Sequence, residues 1–189
     1  MRNIIQAADG WQMLNPSRCS PPAVLGIMNV ASEPREPGLV HKISRRAGRT
    51  EDYVFALALY LESTRPLLTA LGTWDEAQVL RRFSEGFHLP EVTMLSSAGA
   101  DIGWMQVSER ARTCIHLDQL HLVERVRNGG IGTHLIGELQ QRAVESARRV
   151  ELNVMRGNPA QALYERLGFR VVEGDEERLH MRWDPKEAP

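Results

Sequence analysis

Three glycines within four residues, with an amphipathic helical pattern directly behind them, constrain the fold of this chain more than any other stretch. The segment reads VRNGGIGTHLIGEL and covers 126–139. Glycine loses more conformational freedom on folding than any other residue, so the cluster indicates a turn that a Cβ would obstruct. The helix is predicted from an apolar stripe formed by Ile131, Leu135, Leu139 and Ala143. A turn into a helix N-terminus offers free N–H groups and the positive dipole end, which suit a phosphate.

Composition and charge exclude several classes of protein. The chain has 189 residues, 42% hydrophobic and 25% charged, as is typical of one soluble globular domain. Its formal net charge of −1 argues against a large nucleic-acid-binding face. Cys19 and Cys114 fit neither disulfide nor metal spacing. No apolar run reaches the ~20 residues of a membrane span. The start lacks the pattern of a secretory signal. We therefore expect a cytoplasmic protein with no metal, nucleic acid or membrane among its partners.

The first part of the chain differs from the rest. Residues 1–38 concentrate proline and serine and keep no helical or strand period, which predicts a weakly ordered N-terminal extension ahead of a domain over 39–189. Met28 stands just before that domain. A native start at Met28 is a hypothesis that the intact mass of the native protein would test.

From Val40 onward the hydrophobic patterns predict the order β-α-α-β-β-β-α-β-α-β-β. The predicted strands are VHKIS, EVTMLSS, DIGWMQV, TCIHLDQLHLV, VELNV, FRVVEG and RLHMRW. The predicted helices are TEDYVFALALYLES, capped by Thr50, then WDEAQVLRRFSEGF, the segment behind the glycines, and NPAQALYERLGF. Short polar turns imply antiparallel hairpins, and the helical connection behind the glycines implies one parallel pair. The expected fold is a mixed α/β domain.

Three families of phosphate loop compete for the glycine segment. A Walker loop is excluded because no Gly-Lys pair occurs near it. A dinucleotide loop finds its first two glycines in Gly130 and Gly132, but Leu135 occupies the third position and Glu151 lies at the wrong end of its strand. The pattern R/Q-x-x-G-x-G/A fits 127–132 in full. A tight turn without any ligand is the remaining interpretation.

Two segments carry a family resemblance. Residues 127–132, RNGGIG, resemble the pyrophosphate loop of the GNAT superfamily of acyl-CoA-dependent N-acetyltransferases. One strand downstream, NPAQALYERLGF over 158–169 resembles the family segment beside the pantetheine arm and the thiol. The resemblance covers roughly 40–183. It implies the GNAT fold: a mixed, mostly antiparallel sheet flanked by helices, with one central parallel strand pair splayed to admit the pantetheine arm.

The resemblance implies acetyl-CoA as co-substrate and a set of residues that bind it. The strand before the loop would pair through its backbone with pantetheine and polarise the thioester carbonyl, while the loop would donate N–H groups to the pyrophosphate. Glu124 stands where relatives often carry proline. Asn158 would contact the cofactor and also cap its helix, with Pro159 at the first helical position and Gly168 as the left-handed residue after the helix end. The implied cofactor-binding residues are Leu120, His121, Leu122, Arg127, Asn128, Gly129, Gly130, Ile131, Gly132, Thr133 and Asn158.

Catalytic roles follow from the same resemblance. Tyr164 matches the residue that often protonates the departing CoA thiolate; a purely packing role is the alternative. Some relatives carry a general base where this chain has Asn153, which cannot accept a proton. Other relatives carry a base on the strand before the loop, and counting back from Arg127 brings His116 to that position, with Asp118 on the same face. A structural histidine, with a water relay as the base, is the other interpretation.

Acceptor specificity in the family comes largely from the two front helices and their joining loop. In that region Arg65 offers a cation for a substrate carboxylate and Trp74 a flat apolar wall, although Trp74 also suits an N-terminal staple of the second helix. We expect direct acetyl transfer to a primary amine of a small molecule or peptide. The alternatives are a non-catalytic acyl-CoA-binding regulatory module and, more distantly, a nucleotide-binding oxidoreductase. A homodimer is possible, since relatives often dimerise.

Overall fold

The structure is a computed structural model that describes residues 43–186, apart from the side chains of 110 and 111. One seven-stranded sheet has the order β1-β2-β3-β4-β5-β7-β6. Its strands are β1 Ile43–Ala47, β2 Val92–Ser97, β3 Ala100–Ala111, β4 Cys114–Leu122, β5 Arg149–Met155, β6 Arg170–Gly174 and β7 Arg178–Trp183. The helices are α1 Tyr53–Ala70, α2 Glu76–Gly86, α3 Ile131–Glu145 and α4 Ala160–Arg166. The extension expected over 1–38 lies outside the described residues.

The predicted order of elements and the predicted fold class are confirmed. All neighbouring strands pair antiparallel except β4 and β5, which are parallel. The pairing of β4 with β5 runs from Cys114 opposite Arg149 to Leu117 opposite Leu152 and then stops. Both strands continue past that point, so the sheet opens at its centre into a gap between their carboxyl ends. We call this gap the splay.

The two faces of the sheet carry different helices. One core cluster joins α3 and α4 to alternate residues of β4, β5 and β7, and the other joins α1 and α2 to β2 and β3. The stripe predicted for α3 lies in the first cluster, where Ile131, Leu135, Leu139 and Ala143 are all buried. Because side chains alternate along a strand, the remaining residues of β4, β5 and β7 project on the α1–α2 face.

Helix α1 differs from its predicted bounds at both ends. Thr50 lies in a short 3-10 turn, and Asp52 takes the position before the helix, so the predicted Thr50 cap is wrong. At the other end α1 continues through Pro66 to Ala70. A proline inside a helix removes one backbone bond without ending it when packing holds the flanking turns, and Leu68 is buried in the core on the far side of Pro66.

A buried ion pair fixes the start of α1. Both carboxylate oxygens of Asp52 accept bonds from Arg46, at 2.7 and 2.8 Å, and one also accepts a bond from the Arg49 backbone N–H at 2.7 Å. Asp52 is 5% exposed. The hydrogen bonds from Arg46 outweigh burial and lower the pKa of Asp52. The pair therefore fastens β1 to α1 through a carboxylate that stays ionised.

Asp52→Ala is expected to lower the free energy of unfolding by about 2 kcal/mol at neutral pH, between the effects typical of buried and of exposed pairs. A carboxyl whose pKa is lower in the folded state contributes stability above its unfolded pKa of about 3.9 and loses it as pH falls through the folded pKa. The difference between wild type and variant should therefore shrink below about pH 4. Urea denaturation at several pH values measures it. Glu51→Ala, at a neighbouring exposed carboxylate, is the matched control, and an equal loss in that variant would contradict the assignment.

Candidate functional site

The glycine turn has the backbone that its sequence predicts. Gly130 lies just before α3 with φ of 86° and ψ of −7°, and Asn128 also has a positive φ, of 61°. A left-handed backbone strains residues with a Cβ, and glycine adopts it freely. A Cβ on Gly132 would lie 3.0 Å from Leu163 Cδ2, so this glycine allows α3 to approach α4 closely. The glycines thus serve two separate purposes, the turn and the helix contact.

The turn leaves several backbone donors together. The first backbone bond into α3 runs from His134 N–H to the Gly130 carbonyl at 3.0 Å. The N–H groups of Ile131, Gly132 and Thr133 precede it, at the positive end of a helix of 15 residues. This arrangement suits a phosphate or pyrophosphate.

The splay provides the second half of the site. On β4 the pairing with β3 shifts between Gln106 opposite Gln119 and Val107 opposite Leu117, so Asp118 is an extra, bulged residue at the point where β4 leaves β5. Beyond the bulge β4 runs to Leu122 without a partner on its β5 side. Leu120 and Leu122 pack against the α3–α4 core, as partly buried residues. The free backbone edge can pair with an extended ligand chain entering the splay.

Arg127 makes different contacts from those its motif suggests. Its Nε donates to the Leu122 carbonyl at 2.7 Å, and its Nη2 lies 2.9 Å from Glu62 Oε1 on α1. The guanidinium therefore ties the end of β4 to the middle of α1. A contribution of Arg127 to cofactor binding through its side-chain charge stays a prediction.

His121 belongs to a hydrogen-bonded and stacked group on the α1–α2 face. Its Nδ1 lies 2.8 Å from Ser63 Oγ and its Nε2 2.8 Å from Gln119 Oε1. The ring stacks on Trp104 at 5.1 Å and meets Tyr60 edge-on. Burial, with a smaller effect of the Arg127 charge, lowers the pKa of His121 to about 3, so the ring stays neutral. The side chain braces β4 against α1, which leaves only its backbone for cofactor contact.

The α4 segment follows the carboxyl end of β5, beside the splay, and a cap marks each of its ends. Asn158 Oδ1 accepts a bond from Ala160 N–H at 2.9 Å, as a helix cap does, and Gly168 ends the helix with φ of 85°. Tyr164 points into the α3–α4 core, 7% exposed, with its ring 5.8 Å from that of Phe169. Burial raises the pKa of Tyr164 to about 12, so the phenol keeps its proton at neutral pH.

His116 and Asp118 lie together where β4 leaves β5. His116 Nδ1 is 3.2 Å from Asp118 Oδ1, and these side chains are 11% and 9% exposed. Ser108 of β3 donates to the other Asp118 oxygen at 2.5 Å. The predicted base therefore lies against a carboxylate that is itself held in place. The His116 Nδ1 atom is buried without an aligned hydrogen bond, so the ring is positioned but not fully satisfied.

A polar cluster that the sequence does not predict lies next to this pair. Glu151 of β5 receives Arg182 Nε of β7 at 2.9 Å and lies 2.7 Å from Arg149 Nε. Two pairs along, on the same face, His180 Nδ1 is 3.1 Å from Asn153 Oδ1. The pairing of β5 with β7 brings these residues together, Glu151 opposite Arg182 and Asn153 opposite His180. Strand alternation puts all of them on the α1–α2 face, beside the splay.

Cys114 has no nucleophilic character in this setting. It is a free, buried thiol whose Sγ lies 3.4 Å from Glu151 Oε2. Burial, followed by the Glu151 carboxylate, raises the pKa of Cys114 to about 11. A thiol with so high a pKa is protonated at neutral pH and does not act as a covalent acyl carrier.

The two predicted acceptor-binding residues contact each other. The Arg65 guanidinium carbon lies 4.8 Å above the Trp74 ring, and Arg65 Nη2 is 3.2 Å from Glu76. Arg65 belongs to α1 and not to the joining loop, because α1 runs on to Ala70. Trp74 packs against the α1–α2 core, which favours its interpretation as a staple. Substrate contact by either residue stays a prediction.

Two features are absent from the described part of the chain. Residues 43–186 hold no group of three or more His, Cys, Asp or Glu side chains placed to bind a metal ion. No helix in this range is long and apolar enough to cross a membrane.

Comparison with known proteins agrees with the fold. A splayed parallel pair whose connecting helix begins at a glycine turn is the architecture of a GNAT-type transferase. Residues 56–169 match the family model described as the acetyltransferase (GNAT) family. The chain therefore belongs to the GNAT family of acetyltransferases. A search of the curated proteins finds no match.

Solved structures share the fold at low sequence identity. The PaiA N-acetyltransferase of Thermoplasma acidophilum in complex with coenzyme A has a TM-score of 0.61 at 19% identity, covering 75% of this chain and 98% of that one. The ribosomal-protein-S18-alanine N-acetyltransferase of Escherichia coli has a TM-score of 0.56 at 17% identity, covering 78% and 96%. Ard1 of Thermoplasma volcanium has a TM-score of 0.54 at 18% identity, covering 76% and 97%.

Proposed function

We propose that this protein is an N-acetyltransferase that moves the acetyl group of acetyl-CoA directly onto a primary amine of a small molecule or a peptide. The observation that carries the proposal is the joining of two features: the splay between β4 and β5, and the glycine turn that begins α3. The splay fits an extended pantetheine arm, and the turn fits a pyrophosphate. The CoA complex of the similarly folded PaiA enzyme supports the same co-substrate.

The residues present fit the pyrophosphate, pantetheine and thioester parts of acetyl-CoA. The N–H groups of Ile131, Gly132 and Thr133 would bind the pyrophosphate, together with the turn formed by 128–130. The free edge of β4 over 120–122 would pair with pantetheine and donate a backbone N–H toward the thioester carbonyl, which stabilises negative charge on that oxygen. Asn158 has its Oδ1 committed to the helix cap, so only its amide N–H groups are left to meet the cofactor.

Tyr164 and His116 would supply the proton transfers. The departing sulfur, with an ordinary thiol pKa of about 8.5, gains from a nearby acid. Tyr164 has its proton at neutral pH and lies on the helix next to the splay. On the opposite face, His116, oriented by Asp118, would take a proton from the acceptor nitrogen. Cys114 is a protonated, buried thiol, which supports direct attack without a covalent enzyme intermediate.

The polar character of the α1–α2 face argues against a regulatory module that only binds acyl-CoA. Such a module needs the turn and the splay but gains nothing from His116, Asp118 and Ser108 gathered where β4 leaves β5. A nucleotide-binding oxidoreductase would bind NAD. Its turn would carry the third glycine that Leu135 replaces.

The test is acetyl transfer itself. Purified protein is incubated with acetyl-CoA and, separately, a peptide with one free N-terminal amine, a peptide with one lysine amine, and a linear polyamine, and CoA release is followed together with the mass of the amine. We expect one acceptor to gain an acetyl group. His116→Gln should lower kcat for that acceptor by about 10-fold, with unchanged affinity for acetyl-CoA. Acetyl-CoA binding without transfer to any amine would instead favour the regulatory module.

A further inference from the structure

In acetyl transfer to an ammonium group the nitrogen loses two protons, and a second acceptor lets both leave without a wait for the first base to release its proton to solvent. A primary amine of pKa near 10.4 enters protonated and must lose one proton before its lone pair attacks the thioester carbon. When the N–C bond has formed, the nitrogen carries a second surplus proton, and the C–S bond breaks with its electron pair on sulfur. Sulfur takes one proton and solvent receives the other. A single histidine that is still protonated from the first step cannot accept the second proton.

His180 lies where a second acceptor is needed. It belongs to β7, on the α1–α2 face, because its neighbours Leu179 and Met181 are both in the α3–α4 core. It pairs across the sheet with Asn153, the first residue of β5 beyond the last pair with β4. Its side chain is 25% exposed, compared with 11% for His116. The ring therefore lies one strand away from the splay, level with the point where β5 leaves β4, and it is partly open to solvent.

Asn153 sets the orientation of this ring. Asn153 Oδ1 lies 3.1 Å from His180 Nδ1, so the carbonyl oxygen accepts a bond from Nδ1–H. A neutral imidazole carries only one proton, and the bond to Asn153 leaves Nε2 with a free lone pair. The amide does not titrate, so it holds the ring without competing for the proton.

Glu151 stabilises the charge that His180 would gain. Nε2 lies 3.8 Å from Glu151 Oε2, which is too long for a hydrogen bond but close enough for Coulombic attraction to an imidazolium. The carboxylate is held by Arg182 and Arg149, so its position does not depend on His180.

We propose that His180, oriented by Asn153, is a second proton acceptor for the amine in the acetyl transfer. The proposal rests on the proposed function. His116 takes one proton from the nitrogen and His180 the other, while Tyr164 gives its proton to the sulfur on the opposite face of the sheet. Of the two protons held by the histidines, one returns to Tyr164 through solvent and the other is released to solvent. The charged and titratable groups on the strands around His180 are Glu151 and Arg149 of β5, Arg178 and Arg182 of β7, Glu173 of β6 and His116 of β4. Among the groups of α2, Arg82 is paired with Glu177.

His180→Gln is expected to lower kcat by about 10- to 100-fold with the best acceptor of the three named above, and to leave the affinity for acetyl-CoA unchanged. Asn153→Asp should keep activity and move the rising limb of the kcat/KM profile to higher pH, because a carboxylate beside an imidazole raises its pKa. A residue with a purely structural role would not move that limb. His88→Gln, at an exposed histidine at the end of α2, is the matched control.

The outcomes separate the two proposals. If wild type transfers acetyl groups and His180→Gln matches His88→Gln, the inference is wrong and the proposed function stands. If wild type transfers to no amine, both fail. A second measurement needs no acceptor: long-range ¹H–¹⁵N spectra of the histidine rings should show neutral His180 protonated at Nδ1. An Nε2–H tautomer would overturn the role of Asn153.

Discussion

Gly130→Asp is expected to lower the affinity for acetyl-CoA by more than about 100-fold, which corresponds to about 2.7 kcal/mol. The new carboxylate would stand at the N-terminus of α3, where the N–H groups of Ile131, Gly132 and Thr133 are expected to bind the pyrophosphate. It would repel the phosphates and would itself accept the bonds that they need. Calorimetric titration of acetyl-CoA into wild type and variant measures the change.

Aspartate is the suitable substitution because it adds a negative charge and still allows the backbone conformation of the turn. Gly130 has a φ of 86°, and among residues with a Cβ aspartate and asparagine tolerate the left-handed region best. Gly137→Asp is the matched control: it puts the same charge into α3 at a position where an added Cβ meets no atom within 4 Å. If both variants bind acetyl-CoA as wild type does, the glycine turn does not hold a pyrophosphate.

Local patterns were enough to predict the frame of the site. The stripe from Ile131 to Ala143 predicted α3 and the face it buries, and the glycines predicted a turn before α3. The left-handed backbone of Gly130 is a finding of the structure. Asn158 and Gly168 predicted the ends of α4. Each of these signals depends on residues a few positions apart, where backbone geometry relates sequence spacing directly to space.

Contacts between distant segments could not be predicted in the same way. Arg127 bonds to Glu62, which lies far away in sequence, and no local pattern relates the two. The bulge at Asp118 depends on the register of β4 against β3. The first helix was predicted to end at Ser63, but core packing on both sides of Pro66 carries α1 onward to Ala70.

His180 is the clearest omission. Alternation in RLHMRW puts His180 and Arg182 on one face of β7, and that much was visible in the sequence. Their relation to Asn153 and Glu151 follows only from the register of β7 against β5. The sequence does not determine that register, because α4 and β6 lie between these two strands along the chain. The cluster on the α1–α2 face therefore becomes visible only when the sheet order is known.

Tyr164→Phe is expected to lower kcat by about 100-fold while the affinity for acetyl-CoA stays the same. The phenol keeps its proton because burial raises its pKa to about 12, so the group that would protonate the leaving sulfur is present throughout the working pH range. It follows that kcat should not decline through ionisation of Tyr164 between pH 7 and about 11. Phenylalanine keeps the ring in the α3–α4 core beside Phe169 and removes only the hydroxyl.

The comparison that isolates the hydroxyl is Tyr53→Phe, since Tyr53 packs edge-on against Phe83 and Phe87 in the other core. Equal melting temperatures of the two variants would exclude a folding defect as the cause of a lost rate. Two results together would identify Tyr164 as the acid. Only Tyr164→Phe should lose rate, and the loss should disappear when the acetyl donor is a thioester of a thiol with a lower pKa. A better leaving group needs no proton, so a loss that persists with it would assign Tyr164 to packing.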